Sequence, residues 1–342
     1  MLTNMYEIDH LARGRGALPT IAVTRTIPEV GLRLLGAAGD VRRWPHERPP
    51  TPAELADFIH GCDGVLTMIT DAITPELLDR EPQLRVVSNF AVGYDNIDVA
   101  AATARGVAVC NTPGVLTEAT ADAAFALLMA MARRIPEGID YVKAGEWRYW
   151  LPMLLLGQDI NGATIGIIGF GRIGQAVARR ARGFGMRILY HSRTRRPEAE
   201  RELGATFVSL DELLHEANFV TLHLPATPES RHLLSTREFG LMRRDAILIN
   251  TARGAVVDTD AVVAALREGQ IGGAALDVTD PEPLPAGHPL PDLPNAIVVP
   301  HTATSTVAVR DKMSEMASRN IVAVLRGEAP AAIVNPEVLA GR

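Results

Sequence analysis

The chain has 342 residues, of which 47 % are hydrophobic, and its formal net charge at pH 7 is −6. This length favours two domains, and the negative charge argues against a general nucleic-acid binder, whose binding surface would be basic. The two cysteines, Cys62 and Cys110, have no metal-type spacing, and so few thiols indicate a reducing cytoplasm rather than a disulfide framework.

The N-terminal part of the sequence predicts a short extension followed by a domain of alternating strands and helices. Residues 1–18 are mixed polar and lack the apolar run of a secretory signal, so we expect a disordered extension there. Strands are predicted at TIAVTR, DGVLTM, RVVSNFA and VAVCNT. Helices are predicted near 28–38, 52–61, 74–80 and 97–105. Such alternation is typical of a parallel sheet with helices on both faces.

At NTPGVLTEATAD the pattern changes to one long helix. Thr117 is the predicted N-cap, and the helical pattern continues to about Arg134. The most apolar stretch, ADAAFALLMAMA, is too short to span a bilayer and predicts a buried helix. It is followed by GEWRYWLPMLLLGQDING, an aromatic connection interrupted by proline and glycine.

A second alternating series completes the chain. Its strands are predicted at TIGIIG, RILYHS, FVTLHL, AILINTA, GAALDV and AIVVPH, and the segment VRDKMSEMASRNIVAVLRG predicts an amphipathic helix. We therefore expect an α/β protein made of two doubly wound, Rossmann-like parallel-sheet domains. The predicted domain boundaries lie near residues 113 and 305.

Gly169, Gly171 and Gly174 form a G-x-G-x-x-G motif. The pattern alone is weak, but here it follows an apolar strand and precedes a predicted helix from Gln175 to about Phe184. In that context the first glycine permits a tight turn, the second admits a pyrophosphate, and the third lets the helix pack on the strand. The alternative is an ordinary glycine-rich turn. The motif predicts a dinucleotide site.

The end of the next strand lacks the acidic residue that normally holds the adenosine ribose. It reads HSRTRR instead, with Ser192 and Thr194 among the arginines Arg193, Arg195 and Arg196. A carboxylate would repel a 2′-phosphate, whereas arginines and hydroxyls would bind it. The sequence therefore favours NADP(H) over NAD(H). A solvated basic loop is the alternative, and a nucleic-acid patch is less favoured because no aromatic residues interleave the arginines.

Three later strands end in residues that suit the reduction of a 2-oxo acid: Arg253 in NTARGAVVD, Asp277 and Glu282 in LDVTDPEPLP, and His301 in VVPHTATS. Arginine suits a carboxylate, histidine can donate the proton, and Glu282 would favour the imidazolium. Each residue also has a plainer interpretation: a surface ion pair, a solvated loop, or a structural histidine. We assign that structural interpretation to the other eight histidines.

With these motifs the chain resembles the D-isomer-specific 2-hydroxyacid dehydrogenase family, most closely its glyoxylate/hydroxypyruvate reductase branch. The resemblance runs from about Thr20 to Val338. It rests on VGYDNID, NTPGVLTEATADAAFALL, GFGRIGQAVA, YHSRTRR, LINTARGAVVD, ALDVTDPEP and VVPHTA.

The resemblance implies a substrate-binding domain of residues 19–113 plus 306–342, a dinucleotide-binding domain of residues 114–305, and an active site in a cleft that closes about hinges near 113 and 305. It implies a homodimer, and it matches Arg253, Glu282 and His301 to the catalytic residues. The substrate would contact Arg253, the backbone N–H groups of Val92 and Gly93, and Met68. The implied cofactor-binding residues are Thr117, Gly169, Phe170, Gly171, Arg172, Ile173, Gly174, Ser192, Arg193, Thr194, Leu224, Pro225, Thr251, Ala252 and Asp277.

The sequence departs from the family pattern at two places. PHTATST stands where relatives commonly carry Ile-Gly-Ser-Ala after the histidine, so Thr302 and Thr304 are expected to alter the pocket wall. The connection EWRYWLPMLLLG is shorter than in some relatives. Both departures leave the size of the substrate open.

The leading hypothesis is an NADPH-preferring reductase that makes D-2-hydroxy acids from glyoxylate, hydroxypyruvate or a similar small 2-oxo acid. NAD(H) is a possible second cofactor, and no metal, membrane or nucleic-acid partner is expected. The alternatives are a 2-ketogluconate reductase and a phosphoglycerate dehydrogenase, the latter disfavoured because no room is left for the regulatory domain many of them carry. A nucleotide-sensing binding protein on the same fold is a third alternative.

Overall fold

The computed structural model describes residues 18–340, and these divide into two units. The first unit comprises residues 18–115 and 307–340, and the second comprises residues 116–306. The sequence placed the corresponding divisions at 113 and 305. Of the extension predicted for residues 1–18, only Leu18 is among the described residues, and its side chain is exposed.

The first unit is a five-stranded parallel sheet, in the order β2-β1-β3-β4-β5. Its core contains apolar side chains from the strands and from the helices that cover them. Its elements are β1 (Thr20–Val23), α1 (Glu29–Gly36), β2 (Asp40–Arg43), α2 (Pro52–Ile59), β3 (Gly64–Thr67), α3 (Pro75–Arg80), β4 (Val86–Asn89), α4 (Val99–Ala104), β5 (Ala108–Cys110) and, from the end of the chain, a long helix at Val307–Arg326.

The long C-terminal helix lies against α1, and a glycine makes the close approach possible. A Cβ at Gly31 would lie 2.2 Å from Ser314 Oγ. The Ser314 hydroxyl donates to the carbonyl of Pro28 at 2.9 Å, which fixes the start of α1. The C-terminal helix therefore belongs to the core of the first unit.

The second unit is a seven-stranded parallel sheet with one apolar cluster on each face. Its strand order is β12-β11-β10-β9-β6-β7-β8. The elements are α5 (Thr117–Ala132), α6 (Ile135–Lys143), β6 (Thr164–Ile168), α7 (Arg172–Gly183), β7 (Arg187–His191), α8 (Pro197–Leu203), β8 (Ala205–Phe207), α9 (Leu210–Glu216), β9 (Phe219–Leu222), α10 (Thr236–Leu241), β10 (Ile247–Asn250), α11 (Thr259–Arg267), β11 (Gly273–Leu276) and β12 (Ala296–Val298), so the C-terminal helix is α12.

The predicted α/β architecture of two parallel sheets is confirmed, and several local predictions are corrected. Thr117 is the first residue of α5 rather than its N-cap, because Leu116 holds that position without a side-chain cap. The helix ends at Ala132, since Arg134 adopts a positive φ of 50°. The helix predicted to start at Gln175 begins at Arg172, inside the glycine motif. The apolar stretch of α5, predicted to be buried, is buried along one face at Ala121, Ala124, Phe125, Leu128, Met131 and Ala132, while its other residues are partly or fully exposed.

Candidate active site

The turn between β6 and α7 contains the three glycines of the motif, and the surroundings of each show why a side chain is absent there. Gly169 has a φ of +92°, and a Cβ there would lie 2.3 Å from the carbonyl oxygen of His223. At Gly174 a Cβ would lie 2.2 Å from the carbonyl oxygen of Gly169. At Gly171, by contrast, a Cβ would meet no atom within 4 Å. The first and third glycines are thus required by packing, and the second leaves open space at the start of α7, where a pyrophosphate would lie.

A cavity of about 310 Å³ opens beside this turn. Three strand ends line it: the glycine turn after β6, the loop after the neighbouring strand β7 on one side, and the loop after the neighbouring strand β9 on the other. Among the cavity-lining residues, those predicted from the sequence are Gly169, Phe170, Gly171, Ser192, Arg193, Thr194, Leu224 and Pro225. The cavity therefore brings together eight of the predicted cofactor residues.

The arginines after β7 divide into two groups. Arg193 and Arg196 line the cavity. Arg195 instead pairs with Glu200 through two hydrogen bonds of 2.8 and 2.9 Å, and the Tyr190 hydroxyl donates to the same carboxylate at 2.6 Å. These contacts lower the pKa of Glu200 to about 2, with Arg195 the main cause, so the carboxylate is charged at neutral pH. Arg193 and Arg196 are consequently the cations available to a ligand in this cavity.

The other predicted cofactor residues lie outside the residues that line this cavity: Thr117, Arg172, Ile173, Gly174, Thr251, Ala252 and Asp277. One of them carries an orphaned polar atom. Among the described residues, Thr251 Oγ1 is buried without a hydrogen-bond partner. A buried hydroxyl without a partner costs free energy, which fits a site where a bound polar group completes the hydrogen bonding. Together with the open space at Gly171, this observation fits a dinucleotide cofactor.

The proposed catalytic residues follow three neighbouring strands of the sheet. Arg253 follows β10, Glu282 follows β11 and His301 follows β12, and these strands are adjacent and parallel. Their carboxyl ends share one sheet edge, the usual position of ligand sites in this architecture. His301 Nδ1 lies 2.6 Å from Glu282 Oε1, and both side chains are partly exposed. The geometry therefore leaves His301 Nε2 as the ring nitrogen that can face a ligand.

Asp277 holds the segment that follows His301. Its carboxylate is 2 % exposed and accepts the backbone N–H of Thr302 at 2.6 Å and that of Ala303 at 3.1 Å. His301 itself has a φ of 53°, a left-handed conformation that is uncommon for a residue with a side chain. Asp277 thus stabilises the backbone conformation that directs His301, a role that the sequence alone did not indicate.

The turn that carries Arg253 is fixed from both sides. Asn250 Nδ2 donates to the carbonyl of Arg253 at 2.9 Å, while Asn250 Oδ1 accepts the N–H of Ala252 at 3.0 Å. A Cβ at Gly254 would lie 1.9 Å from the carbonyl oxygen of Thr279, so only glycine allows this turn to pack on the loop after β11. The loops that bear Arg253 and Glu282 are therefore in direct contact.

In the first unit, a polar network supports the residues that the resemblance assigns to the substrate. Asn96 Nδ2 donates to the carbonyl of Met68 at 3.1 Å, and Asn89 Nδ2 donates to the carbonyl of Gly93 at 2.7 Å. The two asparagine side chains are joined by a hydrogen bond of 3.0 Å. The loops that carry Met68 and Gly93 are consequently tied to each other by Asn89 and Asn96, two residues that the sequence analysis did not select.

Arg196, which the sequence analysis named only as one of the arginines after β7, also lines the cavity, as do His223 and Glu229, which it did not select. Burial lowers the pKa of His223 to about 3, so its ring is neutral at pH 7. HSRTRR supplied a signal for Arg196, because it was one of three equivalent arginines. For His223 and Glu229 the available signal was their position after strand β9, beside the predicted Leu224 and Pro225.

The described part of the chain contains neither a metal-binding cluster nor a membrane-spanning helix. Within residues 18–340 no group of three or more His, Cys, Asp or Glu side chains is placed to hold a metal ion. In the same part of the chain no helix combines the length and apolar character needed to cross a membrane. Cys62 and Cys110 are unpaired and buried, and burial raises the pKa of Cys110 to about 12.

Comparison with known proteins identifies the same architecture in dehydrogenases. Residues 125–303 match the family model for the D-isomer specific 2-hydroxyacid dehydrogenase, NAD binding domain. The glyoxylate reductase of Korarchaeum cryptofilum is 49 % identical over 94 % of this chain and 97 % of its own length. That of Thermococcus gammatolerans is 50 % identical with the same coverage.

Solved structures agree with the sequence comparison. A crystal structure of a Thermus thermophilus protein matches with a TM-score of 0.86 and 49 % identity, over 92 % of this chain and 99 % of that one. The NADPH-dependent glyoxylate/hydroxypyruvate reductase of Sinorhizobium meliloti, crystallised with NADP and malonate, matches with a TM-score of 0.83 and 34 % identity. The match covers 93 % of this chain and 97 % of that one.

Proposed function

Because this chain belongs to the D-isomer-specific 2-hydroxyacid dehydrogenase family of NAD(P)-dependent oxidoreductases, we propose that it reduces glyoxylate, hydroxypyruvate or a similar small 2-oxo acid to the D-2-hydroxy acid, with NADPH preferred over NADH. The observation that carries the reaction is the His301–Glu282 pair at 2.6 Å, beside the strand end that bears Arg253. The curated relatives named glyoxylate reductase support the choice of substrate.

His301 is the proposed proton donor to the carbonyl oxygen of the substrate. Glu282 accepts from Nδ1–H, fixes the ring orientation, and stabilises the positive charge of the imidazolium. Arg253 would bind the carboxylate of the 2-oxo acid, since a guanidinium matches it with two parallel hydrogen bonds. The bound nicotinamide cofactor supplies the hydride that reduces the carbonyl carbon. In the first unit, we propose that the N–H groups of Val92 and Gly93 bind the carboxylate and that Met68 contacts the substrate.

The proposed preference for NADPH rests on the side of the cavity that is formed by the loop after β7. Arg193 and Arg196 line this wall together with Ser192. Guanidinium groups bind a phosphate with charge-assisted hydrogen bonds, whereas the ribose hydroxyl of NADH offers no such charge. This arrangement supports stronger binding of the cofactor that carries a 2′-phosphate. Thr117, Thr251, Ala252 and Asp277 remain proposed contacts of the same cofactor.

We further propose that the protein forms a homodimer through the second unit. Helix α6 exposes Ile135, Ile139 and Val142 at helical spacing, with 48 % to 53 % of each residue accessible. The segment that follows exposes Trp147 and Trp150 at 64 % and 81 %. An apolar surface of this extent is typical of an interface, and a second copy would bury it symmetrically.

We also propose a cytoplasmic location, because the two unpaired thiols, Cys62 and Cys110, favour a reducing compartment.

A steady-state scan at about 340 nm, the absorbance band of reduced nicotinamide, tests the proposed reaction. NADPH and NADH would each be paired with glyoxylate, hydroxypyruvate, pyruvate and 2-ketogluconate. Rapid NADPH oxidation with glyoxylate or hydroxypyruvate is the expected result. A higher kcat/KM with 2-ketogluconate would replace the substrate assignment. Tight NADPH binding without turnover of any acid would favour a nucleotide-sensing protein.

A further inference from the structure

The cavity beside the glycine turn has walls of opposite charge. Arg193 and Arg196 stand on the loop after β7, and Glu229 stands on the loop after β9. Strand β6 lies between β7 and β9 in the sheet, so these two loops face each other across the glycine turn. A ligand that fills the cavity is therefore exposed to both the arginines and the carboxylate.

The loop that carries Glu229 is held in place by its own hydrogen bonds. The backbone N–H of Thr227 donates to Ser230 Oγ at 2.8 Å, and the Ser230 hydroxyl is also 2.8 Å from the carbonyl oxygen of Pro225. The N–H of Ser230 in turn donates to Thr227 Oγ1 at 3.3 Å. Glu229 is thus presented by a structured turn in which its neighbour Ser230 is buried.

Glu229 is charged at neutral pH. The pKa of its carboxyl lies below the ordinary value because its own backbone N–H and the Thr227 side chain stabilise the carboxylate. The positive charge of Arg193 contributes in the same direction. The carboxylate therefore lies within the electrostatic influence of the arginine that we assign to the 2′-phosphate.

We propose that Glu229 is a specificity-determining residue that limits the preference for NADPH, because its carboxylate opposes the 2′-phosphate from the facing wall of the cavity. This inference rests on the proposed NADP(H) site. NADH carries no 2′-phosphate, so the loss of this charge helps its binding only through the pyrophosphate that both cofactors share, and the gain is smaller than for NADPH. The ratio of NADPH affinity to NADH affinity is therefore smaller with Glu229 present than it would be with the arginines alone.

The test measures the dissociation constants of NADPH and NADH by cofactor fluorescence for the full chain and for Glu229→Gln. From Coulomb's law across a solvated cavity, we expect the variant to bind NADPH roughly two- to five-fold more tightly, with a smaller gain for NADH, so that the ratio of the two dissociation constants changes. Glu229→Lys should change the ratio of the two constants further in the same direction. The gain should shrink as the salt concentration rises, since the groups are exposed.

Glu198→Gln is the matched control, because this exposed glutamate lies outside the cavity-lining residues and removes the same charge. An equal shift in this control would overturn the proposal, since net charge would then be the cause. An equal change in the affinities for both cofactors would also overturn the proposal. It would mean that Glu229 acts on a part of the cofactor that NADPH and NADH share, rather than on the 2′-phosphate. If wild type prefers NADH while Glu229→Gln still shifts the ratio, the proposed NADPH preference fails and this inference stands.

Discussion

The carboxylate of Asp277 accepts the backbone N–H of Thr302 at 2.6 Å, one residue beyond His301. The same carboxylate holds Ala303, and His301 stands at a φ of 53° between this anchor and its pairing with Glu282. The proposed proton donor therefore depends on two carboxylates that act differently. Glu282 orients the ring, and Asp277 orients the backbone.

Asp277→Asn should lower kcat and the stability of the fold together. The amide can accept only through its oxygen, and its NH₂ group faces a backbone donor, so we expect a loss of about 2 kcal/mol in the free energy of unfolding. Urea denaturation and kcat with glyoxylate measure the two effects, and exposed Asp292→Asn is the control. Unchanged kcat in a folded Asp277→Asn protein would contradict the positioning role.

The two glycines at the start of the motif should respond differently to alanine. Gly171→Ala adds a methyl group to open space, so the fold should be unaffected while the affinities for NADPH and NADH fall about ten-fold or more. Gly169→Ala should instead destabilise the protein by more than about 1 kcal/mol, because of its positive φ and the nearby carbonyl of His223.

Gly183→Ala provides the control for both glycine variants. Gly183 is in α7, a Cβ there meets no atom within 4 Å, and it lies outside the cavity-lining residues. We expect unchanged cofactor binding and a slightly higher melting temperature. Normal cofactor affinity in Gly171→Ala would show that the pyrophosphate does not approach this glycine.

The sequence was sufficient for features that depend on strong local patterns. The apolar strands, the glycine turn and the buried helix α5 were all predicted, because burial on both faces of a parallel sheet produces continuous apolar runs. Strands β2 and β8 were missed. Their sequences, DVRR and ATF, are polar or short because they form the sheet edges, where one side of the strand faces solvent.

Sequence reasoning was weaker where a residue's role depends on its partner. Arg193, Arg195 and Arg196 are equivalent in the sequence, and only the Glu200 pairing separates Arg195 from the other two. Asn96 lies within the VGYDNID segment, but nothing in that segment indicates the hydrogen bond that its side chain donates to the carbonyl of Met68. Such long-range contacts are set by tertiary packing and leave no periodic signal.

Substitutions of the three arginines after β7 should differ in their effect on cofactor affinity. Arg193→Gln and Arg196→Gln should each weaken NADPH binding about ten-fold or more with little change for NADH, since a charge-assisted hydrogen bond to phosphate is lost. Arg195→Gln should leave the ratio of the two affinities near the wild-type value, because Arg195 is paired with Glu200. A loss of NADPH selectivity in Arg195→Gln alone would reverse this assignment.

The exposed face of α6 should control the oligomeric state. We expect sedimentation equilibrium to give twice the chain mass of 36.8 kDa for wild type, and a smaller average mass for Ile139→Glu, because a charge would enter the apolar contact. Leu18→Glu is the control, since Leu18 is 66 % exposed and lies outside α6. A monomeric wild-type protein, or a dimer unaffected by Ile139→Glu, would refute an interface on this face.

His223 should make the fold sensitive to mild acid. Its pKa is about 3 in the folded protein because of burial, whereas an unfolded histidine titrates near pH 6.5. Below that pH the unfolded chain binds a proton that the folded protein does not, so stability is lost as pH falls from about 6.5 towards 3. At pH 5 the loss relative to pH 7 should be about 2 kcal/mol.

His223→Gln should remove this contribution, because the amide keeps a partner for Thr221, which now bonds the ring at 2.9 Å, and does not titrate. Urea denaturation at pH 7 and pH 5 would compare wild type, His223→Gln and the control His215→Gln, whose histidine is exposed. The difference between the two pH values should shrink only in His223→Gln. Glu200 loses its contribution to stability only as pH falls from the ordinary carboxyl pKa of about 4.5 towards its folded pKa of about 2, so it contributes little to the difference between pH 7 and pH 5. An equal pH dependence in all three proteins would mean that His223 is protonated as readily in the folded state as in the unfolded one.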